Sequence, residues 1–313
     1  MNYLKFILAL LNTLFLTACM DENSNIFDIK LSKGDLLLNH STYKDRYNYI
    51  YNSEFVLLKL NSNQEIELSK KGYRYSFEIV SLSPSGNNII LIDEQNKSLT
   101  LLNLVKGSNE TILKNEMSKN IKPEFVTRVE FLNDTIALIA ADNNLFKYNI
   151  YRKDLSKIAN FNNFIISDIF IPKFNRQKIL LNFIDAKSND TIIDFSTSYF
   201  DYKDGKLLNE EKINLTNIFD ISGNGEYLVG WDDSIYVYNC KSKLIRIINL
   251  ESKLNYMAQH KIKFFDDNSI ILIDTYEKGE KYYSKLLTYN FIEKKIVKEF
   301  MIGEGYYEII KLL

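Results

Sequence analysis

The sequence predicts an all-β protein, and its internal repetition favours a β-propeller of six four-stranded blades, with seven blades as the alternative. The 313 residues include 21 Tyr and 20 Phe, whereas Ala is scarce after residue 18, and this composition favours strands over helices. A short strand that ends in an aromatic residue or Leu, followed by Asn or Lys, recurs six times at intervals of 36 to 54 residues. The six copies lie at 55–59, 99–103, 145–149, 199–203, 235–239 and 286–290.

Each copy is the predicted third strand of a four-stranded unit. Second strands precede the later copies at 89–92, 136–140, 179–184, 227–231 and 269–273, and first strands precede these at 77–82, 128–132, 167–172, 218–222 and 261–265. A fourth strand follows most copies, as at 110–113, 244–248 and 295–300. One such sheet cannot cover both of its faces, whereas stacking the units around an axis buries them.

The two ends of the chain are expected to share one sheet. Residues 306–313 have the pattern of a further first strand after the sixth unit, and pairing of the chain ends removes exposed strand edges. We therefore expect 306–313 to pair in the unit begun by residues 26–60. Residues 26–31 would then form either a displaced strand or an outer one.

Two turns carry a more specific signal. Segment 80–93 contains Ser-Pro-Ser-Gly, and segment 220–229 contains Ser-Gly-Asn-Gly; Pro sets φ near −65° and Gly accepts a positive φ. Both segments resemble the TolB-type and WD-type propeller repeat, in which a Ser-Pro-Asp-Gly turn joins the inner strand to the next. The resemblance implies a propeller, although the chain has no room for the α/β domain of TolB proteins.

The N-terminus resembles the signal peptide of a bacterial lipoprotein. Lys5 precedes an apolar run at 6–16, which is shorter than the ~20 residues that span a bilayer. The run ends in Leu16-Thr17-Ala18-Cys19, which resembles the lipobox, and this resemblance implies that Cys19 is lipidated and becomes the new N-terminus. The alternatives are an uncleaved membrane anchor and an ordinary signal peptide in which Cys19 is incidental.

The predicted organisation is a signal peptide at 1–18, a lipidated Cys with its tether at 19–25 and a β-propeller domain at 26–313. Met20 follows the cysteine, where retention in the inner membrane of enteric bacteria would favour Asp. We therefore expect a lipid-anchored protein of the cell envelope, in the outer membrane and facing the periplasm.

The sequence gives no sign of catalysis or of a cofactor. The chain has two His and two Cys, which leave little for a zinc site, and a net charge of −1, which argues against nucleic-acid binding. Cys240 falls in a column that is otherwise apolar, so we expect a buried and inert thiol. No Gly-x-Ser-x-Gly motif occurs. We therefore predict no enzyme activity, no metal and no cofactor.

Five predicted second strands end in acidic residues, and the turns after the third strands are basic. The acidic residues are Asp93, Asp142, Asp185, Asp232 and Asp274. They would either form a ring that attracts a cationic partner or cap turns through the backbone. The opposed basic turns would either help orient a tethered domain on anionic lipid or simply be solvated.

Tyrosines concentrate in the predicted loops of the first and last units. Tyr43 and Tyr47 lie in the first, and Tyr276, Tyr282 and Tyr283 lie in the last. These units adjoin where the propeller closes, and Tyr is enriched at interface hot spots. We therefore predict a protein-binding interface at this seam, although a packed strand at 47–51 would also explain the first group.

The sequence thus predicts a non-catalytic, protein-binding or scaffold lipoprotein of the cell envelope. Its expected partners are a membrane, through the N-terminal lipid, and a protein of unknown identity. Two alternatives remain open: a periplasmic immunity lipoprotein that neutralises a secreted toxin, and a glycan-binding or glycan-hydrolysing propeller.

Overall fold

The structure is a computed structural model, and it describes most of the chain between residues 35 and 312. The described residues are 35–42, 52–59, 64–67, 80–93, 98–103, 106, 108–114, 125–173, 176–185, 195–208, 215, 218–232, 234–248, 262–279 and 281–312. The predicted signal peptide, Cys19, residues 26–31, Tyr43 and Tyr47 therefore lie outside the described residues. No helix within the described ranges is long and apolar enough to cross a membrane.

The described residues form 24 β-strands, which pair into six antiparallel four-stranded sheets. Sheet 1 contains β1 (Asp35–Thr42), β2 (Asn52–Lys59), β3 (Gln64–Glu67) and β24 (Tyr306–Leu312). Sheet 2 contains β4 (Val80–Leu82), β5 (Asn88–Asp93), β6 (Ser98–Asn103) and β7 (Ser108–Lys114). Sheet 3 contains β8 (Val126–Phe131), β9 (Ile136–Ala141), β10 (Asn144–Asn149) and β11 (Asp154–Asn160).

The other three sheets repeat this order. Sheet 4 contains β12 (Phe164–Phe170), β13 (Lys178–Asp185), β14 (Phe195–Asp201) and β15 (Lys206–Leu207). Sheet 5 contains β16 (Ile218–Ile221), β17 (Tyr227–Asp232), β18 (Ser234–Asn239) and β19 (Ile245–Ile248). Sheet 6 contains β20 (Ile262–Phe264), β21 (Ser269–Lys278), β22 (Lys281–Asn290) and β23 (Lys295–Glu304).

The sheets stand around an axis that is lined by their first strands. β4 contacts β8 and β24, β8 contacts β12, and β20 contacts β16 and β24. Buried aliphatic and aromatic side chains fill the spaces between successive sheets from sheet 2 round to sheet 1. The prediction of an all-β propeller with four-stranded blades is confirmed, and a seventh sheet is not found among the described residues.

The two ends of the chain close the ring within sheet 1. β24 is the inner strand of this sheet and pairs antiparallel with β1, with Leu36 opposite Leu312 and His40 opposite Tyr307. The prediction that 306–313 pairs with the first unit is therefore confirmed. Since Leu36, Leu38 and Ile309 are buried against sheet 6, the closing strand also completes the core.

One turn, between the third and fourth strands, explains the repeat seen in the sequence. In five sheets the last residue of the third strand is Asn or Asp, and its side-chain oxygen accepts hydrogen bonds from amides of the following turn. These residues are Asn103, Asn149, Asp201, Asn239 and Asn290. The alignment that put Lys203 in this column is wrong by two residues, because β14 ends at Asp201.

The two turns that resemble the TolB-type repeat have the same geometry. Ser83 Oγ accepts a hydrogen bond from the Asn88 amide at 3.0 Å, and Ser222 Oγ accepts one from the Tyr227 amide at 2.9 Å. A glycine with positive φ follows each serine by three residues, at φ 75° for Gly86. The structure therefore confirms that these two segments are copies of one turn.

Candidate functional site

The propeller has two faces, which carry different turns. We call the face with the second-to-third strand turns the upper face, for example residues 142–143 between β9 and β10. The lower face carries the first-to-second and third-to-fourth strand turns, for example residues 150–153 between β10 and β11. This assignment follows from the antiparallel pairing, in which Asn149 lies opposite Ile136 and Ala141 lies opposite Asn144.

Four of the five predicted acidic residues lie at or just beyond the upper ends of second strands. Asp93, Asp185 and Asp232 are the last residues of β5, β13 and β17, and Asp142 follows β9. Asp142 is exposed with φ 50°, and its amide donates to the Phe125 carbonyl at 3.0 Å. Partial burial raises the pKa of Asp142. This conformation, which Asp tolerates better than most residues, gives Asp142 a turn-forming role.

Asp274 has a different environment from the other four. β21 continues to Lys278, so the prediction that this strand ends near Asp274 is wrong. The side chain of Asp274 is buried, and its Oδ2 lies 3.5 Å from Nζ of Lys285, which also lies 3.2 Å from Oε1 of Glu299. Burial lowers the pKa of Lys285, but these two carboxylates outweigh it and raise the pKa overall. Asp274 is therefore the buried end of an ion-pair network that reaches the surface at Glu299.

The predicted tyrosines of the last unit lie on an elongated hairpin. β21 and β22 have 10 residues each, whereas β9 and β10 have 6. Because Ser269 pairs with Asn290 at the lower end, the four additional residues of each strand project beyond the upper face by about 13 Å. Tyr276 and Tyr283 lie opposite each other and stack, with ring centroids 6.2 Å apart.

This hairpin adjoins the closing strand at the seam between sheets 6 and 1. The Gly305 amide donates to the Tyr282 carbonyl at 2.8 Å, and the Ser284 hydroxyl donates to the Gly305 carbonyl at 2.8 Å. Within sheet 1, His40 stacks on the buried ring of Tyr307, its partner on the closing strand, with centroids 4.3 Å apart. The structure thus places Tyr276, Tyr282 and Tyr283 beside the strands that close the ring.

A charged cluster at the axis was not recognised from the sequence. We call Arg128, Glu130, Asp168, Asp220 and Lys263 the axial cluster. Arg128 Nη2 donates to Glu130 Oε1 at 2.8 Å, and Arg128 Nε lies 3.7 Å from Asp168 Oδ1. Lys263 Nζ lies 3.9 Å from Asp220 Oδ1. These contacts join sheets 3 and 4 and sheets 5 and 6, while Ser81 of sheet 2 donates to Glu130 at 3.2 Å.

β-Bulges place three members of the axial cluster. The strand register shifts at corresponding places in β8, β12 and β16, and a bulge re-aims the side chain that follows it. In each strand the extra residue directly precedes a cluster member: Thr127 before Arg128, Ser167 before Asp168 and Phe219 before Asp220. Thr127 donates to the Ile166 carbonyl at 2.5 Å, so a side chain of sheet 3 satisfies a carbonyl beside the bulge of sheet 4.

The axial cluster contains two cations and three carboxylates, and each cation is held by neighbouring carboxylates. Burial lowers the pKa of Arg128, but Glu130 and Asp168 outweigh it and raise the pKa overall. Burial raises the pKa of Asp168, although Arg128 and Lys263 oppose the shift. Arg128 Nε and Ser167 Oγ are buried without a hydrogen-bond partner among the described residues. The cluster therefore binds neighbouring sheets together around the axis.

A sequence signal for this cluster was available. Glu130, Asp220 and Lys263 are charged residues in the middle of predicted first strands with an apolar residue on each side, whereas Arg128 and Asp168 lie near the starts of theirs and are each followed by an apolar residue. The first strands of all the sheets face the axis, so charged side chains on different first strands lie close to one another. The described ranges contain no group of three or more His, Cys, Asp or Glu side chains that could hold a metal ion.

Cys240 is only partly buried. It packs against the core between sheets 4 and 5, and the Tyr199 hydroxyl donates to its Sγ at 3.6 Å. The expectation of a fully buried thiol is therefore corrected. Cys240 follows β18 at the edge of the lower face, where packing covers only part of the side chain.

Comparisons with known proteins identify the fold alone. No protein-family model matches the chain, and no curated protein sequence matches it. The structure resembles TolB from Acinetobacter baumannii at 10% identity and a TM-score of 0.57, covering 87% of this chain and 65% of that one. The chain thus spans just under two thirds of that TolB. It also resembles a chain of the nidogen/laminin complex at 11% identity and a TM-score of 0.50, covering 89% of this chain and 100% of that one.

Proposed function

We propose that this protein is a lipid-anchored β-propeller of the bacterial cell envelope that binds another protein without catalysing a reaction. In this proposal each of the six sheets is one blade, Cys19 carries the lipid, and the propeller faces the periplasm from the outer membrane. The lipobox-like sequence at 16–19 supports the anchor. The projecting hairpin of sheet 6 supports the binding role.

The hairpin is the single observation that carries the binding role. The hairpin extends about 13 Å beyond the level at which six-residue strands end, and Tyr276 and Tyr283 lie about 7 Å along this extension, where cross-strand stacking fixes the rings before any partner arrives. Tyrosine offers a large contact area with only two rotatable side-chain bonds, so little entropy is lost when a partner binds. Lys281 pairs with Glu304 at 2.9 Å and joins the hairpin to the neighbouring strand. The rigid propeller thus presents a preorganised aromatic contact.

The binding role is tested by affinity capture of the lipidated protein from cross-linked envelopes. We expect one protein to be recovered in stoichiometric amount with the wild type, and to be lost from a Tyr276→Ser/Tyr283→Ser variant. Interface hot spots contribute at least about 2 kcal/mol each, so affinity falls at least about thirtyfold per residue. Phe125→Ser is the matched control, since Phe125 is 44% exposed just before β8 on the upper face and lies outside sheet 6.

Three results would contradict the binding role. These are equal recovery with all three proteins, recovery of no stoichiometric partner with the wild type, and loss of the partner in the Phe125→Ser control. A thermal melt of each variant is recorded first, because the substitutions must leave the propeller folded. Retained melting temperature with lost capture then assigns the effect to the hairpin surface.

The anchor is tested separately with Cys19→Ser. We expect the wild type to incorporate a clickable fatty acid and to remain in the membrane fraction, whereas the variant incorporates none. Membrane association of the wild type without acyl label would show instead that residues 6–16 anchor the chain directly. This outcome would leave the binding role of the hairpin unaffected.

A further inference from the structure

We propose that an apolar and basic rim on the lower face docks onto an anionic lipid surface. The rim consists of three third-to-fourth strand turns and the outer-strand residues that follow two of them. Its residues are 150–153 in sheet 3, 240–247 in sheet 5 and 291–297 in sheet 6. The occupant is the headgroup layer of a membrane that contains anionic lipid.

Large apolar side chains are exposed along this rim. Tyr151 is 79% exposed, Leu244 63% and Ile247 65%. Ile245, Ile292, Ile296 and Val297 are also exposed. Single exposed apolar residues are ordinary, but this grouping on the ends of three sheets marks an interaction surface.

The charges of the rim turns are mostly positive. Residues 150–153, 240–244 and 291–294 contain five cations and one carboxylate, Glu293. Lys153 and Lys241 form ion pairs with Glu110 and Glu226. The other three cations are exposed and have no ion-pair partner among the described residues: Arg152, Lys243 and Lys294. Cations interleaved with apolar side chains suit an interface where both acyl chains and anionic headgroups are within reach.

The same turn places a lysine at the same position in each of the three sheets that form the rim. Lys153, Lys243 and Lys294 occupy the same turn position, with φ of 55°, 60° and 56°. The preceding Asn side chain fixes each turn by accepting amide hydrogen bonds, as Asn239 Oδ1 does from Lys241 and Ser242 at 2.9 and 2.8 Å. The lysines therefore sit at equivalent positions in a fixed backbone.

The chain enters the propeller on this same face. Asp35, the first residue of β1, pairs with Lys59 at the lower end of β2. Residues 20–34, fifteen in number, separate Asp35 from Cys19. Even fully extended, fifteen residues span at most about 50 Å, so a lipid on Cys19 would keep Asp35, at the lower face, within about that distance of the bilayer. This step depends on the proposed lipidation, whereas the composition of the rim does not.

The test uses the mature chain from residue 19 with Cys19→Ser, so that no lipid anchor contributes. Flotation is measured with phosphatidylglycerol/phosphatidylcholine vesicles and with pure phosphatidylcholine vesicles. We expect binding to the anionic vesicles that weakens with added salt. Lys243→Gln/Lys294→Gln should lower the partition coefficient about 25-fold, because each cation near an anionic surface contributes about fivefold.

A matched pair of double variants distinguishes vesicle binding through the rim from nonspecific adsorption of exposed apolar side chains. Leu244→Ser/Ile292→Ser should reduce vesicle binding, whereas Phe125→Ser/Phe164→Ser should not. Phe125 and Phe164 are 44% and 39% exposed but lie at the upper ends of β8 and β12. Melting temperatures are compared to show that all four proteins remain folded.

Absence of binding to anionic vesicles, or equal loss with both pairs of variants, would overturn the proposal. If the rim variants instead lose the captured protein partner without any vesicle binding, the rim is a protein-docking surface and the lipid proposal is wrong. Failure of Cys19 to carry a lipid would leave the vesicle result intact. The two proposals can therefore fail independently.

Discussion

Replacing Arg128 with Met should lower the free energy of unfolding of the propeller, because it removes a cation from the axial cluster. The guanidinium is the cation shared by Glu130, at 2.8 Å, and Asp168, at 3.7 Å, and its side chain is only 14% exposed. Breaking a buried ion pair costs about 3–5 kcal/mol because an uncompensated charge remains. Glu130 and Asp168 are 16% and 33% exposed, so partial solvation favours the lower end, about 3 kcal/mol.

The assay is urea unfolding followed by Tyr and Trp fluorescence, repeated between pH 4 and pH 7.5. In the variant the two carboxylates lack their cation, so their folded-state pKa values rise above those of the unfolded chain. Their ionisation then destabilises the variant as pH rises through these values. We therefore expect the variant to be closest to the wild type near pH 4 and furthest from it near pH 7.5.

A neutral version of the cluster provides the control. Arg128→Met/Glu130→Gln/Asp168→Asn keeps the side-chain shapes but removes all three charges, so it should recover most of the lost stability. A loss below about 1 kcal/mol at pH 7.5 in the single variant would refute the reasoning. A triple variant as unstable as the single one would also refute it, because packing rather than charge would then dominate.

Three further predictions concern the turns and the closure. Asn239→Ala should cost about 1–2 kcal/mol, since the amides of Lys241 and Ser242 lose their acceptor; an unchanged urea midpoint would contradict this. Gly205→Ala should cost about 1 kcal/mol because Gly205 has φ 64°, whereas Lys243→Gly at the equivalent place should cost nothing; equal effects would contradict the assignment. Deletion of residues 306–313 removes β24 and should abolish cooperative thermal unfolding; a sharp transition at the wild-type temperature would show that closure is dispensable.

Much of the fold was predictable because strand position and turn chemistry repeat together. Aromatic and β-branched residues marked the strands, and an Asn after the third strand marked the turn that its side chain stabilises. The same logic explains why the copy at 199–203 was predicted two residues too late. Asp201 accepts the turn hydrogen bonds that Asn accepts elsewhere, whereas the pattern of Asn or Lys pointed to Lys203. Turn chemistry, rather than residue identity, is what repeats.

The candidate sites were harder to predict because they depend on contacts between sheets. The sequence placed Tyr276 and Tyr283 near the seam, but it did not show that β21 and β22 continue as a paired ladder through both residues. Asp274 illustrates the difficulty, since only the position of Lys285 on the neighbouring strand makes it a buried partner. The axial cluster likewise depends on first strands that are 40 or more residues apart in the chain, such as Ser81 and Glu130.

The closing strand has a consequence for how the protein reaches its folded state. His40 and Glu304, which are joined by a hydrogen bond across the seam, are 264 residues apart in the chain. Sheet 1 therefore remains incomplete until nearly the whole polypeptide is available for folding, which under the proposed export means after nearly all of it has crossed the inner membrane. Up to that point β1 has an unpaired edge that can pair wrongly with another chain. Early attachment of the N-terminus to a bilayer would keep neighbouring unfinished chains apart during this interval, so the anchor would serve assembly as well as location.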